Sequence, residues 1–183
     1  MQFTNSKTRY GNIAVLLHWL MALTIFCLFG LGLYMVELTY YDDWYRGSLE
    51  LHKAVGVSLF AVLILRLIWR KATVQPEELK TNSPKMNRIA KWVHSILYLI
   101  LAILMLSGYL ISTADGRSID VFGMMDVIAM PAIHQNQEDI AGIIHWGLAW
   151  GLISLVSLHA LAAFKHHFID KDDTLKRILP NWK

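Results

Sequence analysis

The sequence predicts an all-α membrane protein, a bundle of four transmembrane helices with the N- and C-termini in the cytoplasm. Three observations predict this fold class. The chain of 183 residues is 55% hydrophobic and 17% charged, which is too apolar for an ordinary soluble domain of this size. Its apolar residues form four long blocks, and its basic residues gather on one side of them. We expect a single domain over residues 1–183.

The four apolar blocks lie at residues 13–36, 54–69, 89–112 and 140–164. Blocks of about 18–25 residues suit a bilayer core of about 30 Å at about 1.5 Å per residue. With their flanks they predict helices at about 11–37, 49–70, 87–111 and 140–168. The first connection carries an aromatic belt of Tyr40, Tyr41, Trp44 and Tyr45, which is typical of a membrane interface.

The other two connections differ in character. Residues 73–84 are polar and contain Pro76 and Pro84, so they predict a loop. Residues 112–139 make a long connection with an apolar, methionine-rich core at 121–133, which we expect along the outer membrane surface.

The basic residues fix the predicted orientation. The N-terminal segment, the second connection with its flanks, and the tail from Lys165 hold 14 of the 17 lysines and arginines. The other side holds Arg46, Lys53 and Arg117. By the positive-inside rule the termini are cytoplasmic. This bias is a topology signal, and we expect no nucleic-acid partner.

Five histidines lie at membrane depth, where ionisable residues are costly and mark function. His52 and His145 lie near the outer face and form an outer pair. His18, His94 and His159 lie towards the inner face and form an inner set. The alternative for any single histidine is a hydrogen bond between helices, but all five together favour a bound cofactor.

The spacing from His145 to His159 is the most specific feature. Fourteen residues return to within about 40° of the same helix face and rise about 21 Å. One helix therefore presents an imidazole near each membrane face, as it must to ligate two stacked haems. Zinc ligands would have to converge on one point, so haem fits the two layers better. A haem-free proton transporter is a further alternative, but it needs an ionisable residue near mid-membrane.

These residues resemble the bacterial cytochrome b561 family of di-haem membrane proteins. The resemblance is carried by His18-Trp19, by Leu51-His52-Lys53 with Gly56, by His94 with Tyr98, by His145 and His159, and by the tail from His166 to Leu175. It covers nearly the whole chain and is weakest in the first and third connections. It implies a multi-pass protein of the bacterial inner membrane that binds two haem b groups.

The resemblance also implies roles for single residues. His18 and His159 would ligate the inner haem iron, and His52 and His145 the outer one. His94 would be spare, either near the inner haem or in a quinone pocket. In one branch of the family, electrons pass from superoxide at the outer haem to ubiquinone, and the first histidine of the tail pair contacts the quinone. That residue is His166 here, two turns beyond His159 on roughly the same face.

The donor is the least constrained part of the prediction. Acidic residues at the outer mouth would repel superoxide, whereas Lys53 and Arg117 would attract it. The favoured function is a superoxide:ubiquinone oxidoreductase. The alternative is an electron-transfer module that serves a separate periplasmic redox protein.

Two lesser expectations concern charged residues. Arg66 and Arg70 would pair with haem propionates or, more commonly, extend to lipid phosphates. The alternating charges of Asp170, Lys171, Asp172 and Asp173 predict a solvated face.

Overall fold

The chain forms four long α-helices. The structure, a computed structural model, describes residues 2–79 and 83–179. Within these residues the helices are α1 (Asn12–Met35), α2 (Tyr45–Ala72), α3 (Pro84–Ser112) and α4 (Gln137–Phe168). Each is long and apolar enough to cross a membrane. The predicted all-α membrane fold with four spans is confirmed; residues 80–82 of the predicted polar loop lie outside the described residues.

Three helices begin earlier than the sequence predicts, and one of them is α4, which begins at Gln137 rather than near residue 140. α2 begins at Tyr45 rather than near residue 49, and α3 begins at Pro84 rather than near residue 87. Proline suits the first position of a helix because its missing N–H would have no partner there. The hydroxyl of Ser83 accepts a hydrogen bond from the backbone N–H of Met86 at 3.2 Å, which caps the helix. These local starts lie in the polar flanks, where hydropathy gives no signal.

Large apolar side chains cover the outside of the helices. Leu16 and Leu23 of α1 are each 66% exposed, and Ile143 of α4 is 74% exposed. Soluble proteins rarely expose contiguous apolar surface of this kind, whereas lipid tails solvate it. The exposed side chains therefore fit a multi-pass membrane protein.

The chain divides into two compact units, and every long helix contributes residues to both. The first unit comprises residues 2–22, 62–79, 83–98 and 154–179. Its buried apolar residues include Val15, Met21 and Leu63. Its tail is tied to the rest of the unit, since Trp19 Nε1 donates to the carbonyl of Ile178 at 2.8 Å. The single-domain organisation stays a prediction.

The second unit comprises residues 23–61 and 99–153. Its buried apolar residues come from all four helices and from the connection before α4; they include Leu28, Ala54, Leu59, Leu101, Leu104, Ile119, Val121, Ala141 and Leu152. Gln137 fixes the start of α4 by accepting the N–H of Ile133 at 2.9 Å and donating to the carbonyl of Leu110 at 3.0 Å.

A small antiparallel hairpin lies in this connection, formed by β1 (Ile119–Val121) and β2 (Met125–Val127). It is not among the elements that the sequence predicts. The carboxylate of Asp120 accepts the N–H of Gly123 at 2.9 Å, and Phe122 and Gly123 both adopt positive φ, 56° and 69°. The hairpin buries Ile119 and Val121 within the second unit.

Candidate functional site

The second unit brings His52 of α2 and His145 of α4 together. Their ring centroids are 6.3 Å apart and their planes are inclined by 67°. Nδ1 of His145 lies 3.1 Å from the carbonyl oxygen of Leu104 and 3.1 Å from the hydroxyl of Ser107. A carbonyl oxygen only accepts, so Nδ1 carries the proton and the Nε2 lone pair is free. Nδ1 of His52 is buried without a hydrogen-bond partner.

Both histidines line a largely apolar cavity of about 680 Å³. This volume falls within the range of about 300–1,000 Å³ that is usual for pockets holding small molecules and cofactors. Open space flanks two of its glycines, because a Cβ at Gly56 or Gly142 would meet nothing within 4 Å. Gly108 is different, since a Cβ there would lie 3.1 Å from Cε1 of His145. The cavity thus combines two imidazoles with room for a flat apolar group.

The first unit brings together the three remaining histidines of the spans. The ring centroids of His18 and His159 are 6.4 Å apart, and those of His94 and His159 are 5.2 Å apart. Two imidazoles on opposite sides of one metal ion have centroids about 6 Å apart, from bonds of about 2 Å and about 1 Å within each ring. The His18–His159 pair fits this separation, whereas the His94–His159 pair is too close.

Arg66 points into the first unit rather than outward to lipid. Its guanidinium donates to the hydroxyl of Tyr98 at 3.0 Å and to the carbonyl of Ala14 at 3.2 Å, and it lies 3.2 Å from Nδ1 of His18. The expectation that Arg66 extends to lipid phosphates is therefore wrong. Its guanidinium is therefore held by three acceptors, one of which is the imidazole of His18.

His166 lies in the last turn of α4 beside two carboxylates. Its Nδ1 is 3.1 Å from Oδ2 of Asp170 and 3.1 Å from Oδ2 of Asp172. Asp172 is buried, with 6% of its surface exposed. The prediction of a solvated acidic face is therefore wrong for Asp172, because the chain turns back after α4 and packs this residue against His166.

Two basic residues of the second unit, Lys53 and Arg117, differ in their pairing, and of the two Lys53 lines the cavity. Arg117 is bound to Asp115, with Nε 2.7 Å from Oδ2. The backbone N–H of Arg117, followed by its side chain, holds the pKa of Asp115 below its usual range. Lys53 lines the cavity and forms no salt bridge within the part of the chain that the structure describes. Lys53 is therefore the cation best placed at the cavity.

Comparison with known proteins decides the family. A sequence profile described as prokaryotic cytochrome b561 matches residues 9–181. The chain is 49% identical over 179 residues to cytochrome b561 homolog 2 of Escherichia coli, covering 98% of this chain and 95% of that protein. The chain belongs to the prokaryotic cytochrome b561 family. Its membership confirms the resemblance that the histidine pattern and the tail indicated.

Two further relatives are more distant in sequence. The chain is 27% identical over 180 residues to a protein of Yersinia pestis named probable superoxide oxidase CybB, covering 94% of this chain and 96% of that one. It is also 27% identical over 184 residues to cytochrome b561 homolog 1 of Escherichia coli, covering 96% and 99%. As a cytochrome b561 protein, this chain is a multi-pass, haem-binding membrane protein of electron transfer.

Haem b is the cofactor that membership of the cytochrome b561 family implies. The side chains of the second unit fit this group, because an unpartnered imidazole nitrogen and a free Nε2 border an apolar cavity. The His18–His159 separation fits it as well. In that pair, however, Nδ1 of His18 accepts from the guanidinium of Arg66, so the proton of the neutral ring is on Nε2. Arg66 would have to move, and the proton would have to shift to Nδ1, before Nε2 could ligate a metal.

Proposed function

We propose that this protein is a di-haem b oxidoreductase of the bacterial inner membrane that carries electrons from a periplasmic donor to ubiquinone. His18 and His159 would hold the inner haem iron, and His52 and His145 the outer one. The termini would be cytoplasmic. The favoured donor is superoxide. Two superoxide anions would each give up one electron and leave as dioxygen, and one ubiquinone would take two electrons and two protons to become ubiquinol.

The matching separations of the two histidine pairs carry this proposal. Centroids 6.4 Å and 6.3 Å apart suit two imidazoles that share one iron. Haem held by two imidazoles supplies a one-electron centre whose potential its axial ligands set. Leu104 orients His145 through Nδ1 and so directs Nε2 toward a metal. His94 would stay beside the inner site as a neighbour and not a ligand.

The outer cavity supports an anionic donor. Lys53 follows His52 directly and lines the cavity with no salt-bridge partner among residues 2–79 and 83–179. A cation at a cleft with low-dielectric walls raises the local concentration of an anion and its rate of encounter. Arg117 contributes less, because Asp115 neutralises it.

His166 supports a quinone at the other face. It is one of two histidines in the last turn of α4, it is mostly buried, and its Nδ1 faces carboxylates. Reduction of a quinone to a quinol needs two protons, and histidine is the side chain best suited to deliver them near neutral pH. His167, the next residue, also has a buried Nδ1 without a hydrogen-bond partner.

Stopped-flow absorbance of the purified, haem-loaded protein tests the proposal. Mixing with superoxide should reduce the b-type absorption bands, and added ubiquinone should return them to the oxidised state. Lys53→Gln should slow the reduction several-fold and weaken its dependence on ionic strength, whereas Arg117→Gln should change it by less than about twofold. Haem bands that stay oxidised in superoxide would contradict the proposed donor.

A second candidate is an electron-transfer module for a separate periplasmic redox protein. Exposed apolar side chains on the connection before α4 favour it: Met124 is 79% exposed, Ile128 80% and Ile133 86%. Such a surface is typical of a docking site. This candidate predicts no reduction by superoxide, but rapid reduction by a docked protein that is lost when Met124 and Ile128 are both changed to Ser.

A further inference from the structure

The turn that follows α4 places a buried carboxylate against His166. The carbonyl of Lys165 accepts the N–H groups of Ile169 and Asp170 at 2.9 and 3.1 Å, and the carbonyl of His166 accepts the N–H of Asp172 at 3.0 Å. Lys171 adopts a φ of 54° to complete the turn. This backbone conformation costs free energy in a non-glycine residue, so surrounding contacts must stabilise it. The turn therefore fixes Asp172 next to His166 in spite of local strain.

Asp172 has one partner that can carry a positive charge. Its side chain is 2% exposed, and its Oδ1 accepts the N–H of Thr174 at 2.8 Å. Its Oδ2 faces Nδ1 of His166 at 3.1 Å, and within the described residues no lysine or arginine forms a salt bridge with it. A buried carboxylate is costly unless a cation or a hydrogen-bond donor compensates it. His166 is the group that supplies this compensation.

Asp170 does not have the same role. Both of its carboxylate oxygens accept hydrogen bonds from Nζ of Lys165, at 2.9 and 2.7 Å. This lysine holds the pKa of Asp170 below its usual range. The side chain of Asp170 is also 35% exposed, so water and Lys165 already compensate the charge of this carboxylate. Of the two carboxylates, Asp172 depends on His166.

The polar atoms here are not fully satisfied. Nδ1 of His166 and Oδ2 of Asp172 are at ion-pair distance but are not aligned as a hydrogen bond, and neither has another hydrogen-bond partner. Oγ1 of Thr174 is likewise buried without a partner. Buried polar atoms in this state cost free energy that a hydrogen bond or a bound molecule would recover. Three such atoms lie together at the end of α4, on His166, Asp172 and Thr174.

We propose that Asp172 is the positioning residue for His166 in quinone reduction; this rests on the function proposed above. During quinone reduction the two groups would align so that Nδ1–H of His166 donates a hydrogen bond to Oδ2 of Asp172, which leaves Nε2 to exchange protons. Ubiquinone gains two electrons from the outer-face donor and one proton on each carbonyl oxygen, and becomes ubiquinol. Protons pass to the quinone from Nε2 of His166 and are replaced on Nε2 from cytoplasmic water. The carboxylate of Asp172 stabilises the imidazole ring when both of its nitrogens are protonated.

Anaerobic stopped-flow mixing with ubiquinone-1 tests this proposal without using superoxide. The full-length, haem-loaded protein is first reduced with dithionite, the excess is removed, and reoxidation of the haem bands is followed against quinone concentration. Asp172→Asn should lower the maximal rate at least tenfold and change the half-saturating quinone concentration by less than about twofold. Asp172→Glu should recover part of the rate.

Two comparisons separate positioning from structure. Asp173→Asn is the matched control, because Asp173 is exposed and paired with Lys176, and it should react like the wild-type protein. His166→Gln should be as slow as Asp172→Asn, and the double variant should be no slower than His166→Gln, since coupled residues are not additive. The role of Asp172 would be overturned if the rate losses of the two single variants multiplied in the double variant. It would also be overturned if Asp172→Asn reacted at the wild-type rate.

A spectroscopic measurement on the wild-type protein needs no variant. The ¹⁵N NMR spectrum of the neutral His166 ring should show the proton on Nδ1, and a proton on Nε2 would overturn the proposal. A failure of the quinone reaction itself would instead contradict the acceptor in the proposed function. If reduced wild-type protein is not reoxidised by ubiquinone-1 at all, the quinone step fails, and the role of Asp172 fails with it.

Discussion

At the scale of single residues, the two histidine pairs differ in the group that contacts Nδ1 of one of their rings. His145 donates through Nδ1 to the carbonyl of Leu104, whereas Nδ1 of His18 faces the guanidinium of Arg66. The first arrangement prepares Nε2 for a metal, and the second requires Arg66 to move.

Gly108 packs directly against the ring of His145. A Cβ at residue 108 would lie 3.1 Å from Cε1 and 3.3 Å from Nδ1 of that ring, which is closer than the packing allows without movement. Gly108→Ala should therefore weaken binding of the outer haem by about tenfold or more, as changes that disturb ligand orientation do. Haem titration of the purified protein measures this effect.

Gly147→Ala is the control, because Gly147 lies on the same helix as His145 and a Cβ there meets nothing within 4 Å. It should bind haem like the wild-type protein. Equal haem affinity in both variants would show that His145 tolerates the displacement and would contradict this role of Gly108.

The sequence was sufficient to find the histidines but not the residues that orient them. Each of the five is an ionisable residue within an apolar block or, for His52, just before one, so its type and depth alone made it conspicuous. Arg66 also lies in an apolar block, but an arginine towards a helix end usually reaches lipid headgroups, and an aspartate in a charged tail, such as Asp172, usually faces solvent. Their burial depends on long-range contacts and on the turn at Lys171, which hydropathy does not encode.

At the scale of elements, short polar interactions shape the connections between spans. In the connection from α1 to α2, Oδ2 of Asp42 accepts the backbone N–H of Thr39 at 2.7 Å and its hydroxyl at 2.8 Å. The hairpin before α4 depends on a similar bond from Gly123 to Asp120. Strands of three residues are too short for alternation to be recognised, which is why the sequence did not predict this hairpin.

The turn at Asp42 should depend on pH in a defined direction. The backbone N–H of Thr39, followed by its hydroxyl, holds the pKa of Asp42 below its ordinary value of 3.8. Its contribution to stability is therefore complete above that value and is lost as the pH falls through the lower, folded pKa. Carboxyl ¹³C NMR titration should give a pKa below 3.8 for Asp42, and Thr39→Val should raise it toward that value. A pKa at or above the ordinary value would contradict this account of the turn.

At the scale of the whole molecule, charge asymmetry sets the expected orientation in the membrane. The spans themselves are nearly uncharged, and the basic residues cluster at one set of flanks. The sequence was sufficient to predict four spans because bilayer thickness fixes helix length. It could not divide the chain into two compact units, because that division cuts across all four helices and follows packing.

Labelling with a membrane-impermeant maleimide tests the orientation. Cys27 is the only cysteine, so Cys27→Ala gives a background without thiols. In spheroplasts of that background, Met124→Cys should be labelled and Thr8→Cys should not, because positive-inside topology keeps the N-terminus in the cytoplasm. The opposite pattern would reverse the proposed direction of electron flow.

The haem content of the purified protein, measured per polypeptide as the pyridine haemochrome, tests the assignment of one haem to each histidine pair. The two histidine pairs predict two haem b groups in the wild-type protein, one in His145→Leu, one in His159→Leu and none when both are changed. His94→Leu should retain two, because His94 is too close to His159 to share an iron with it. Retention of both haems in either single ligand variant, or loss of one in His94→Leu, would contradict the ligand assignment.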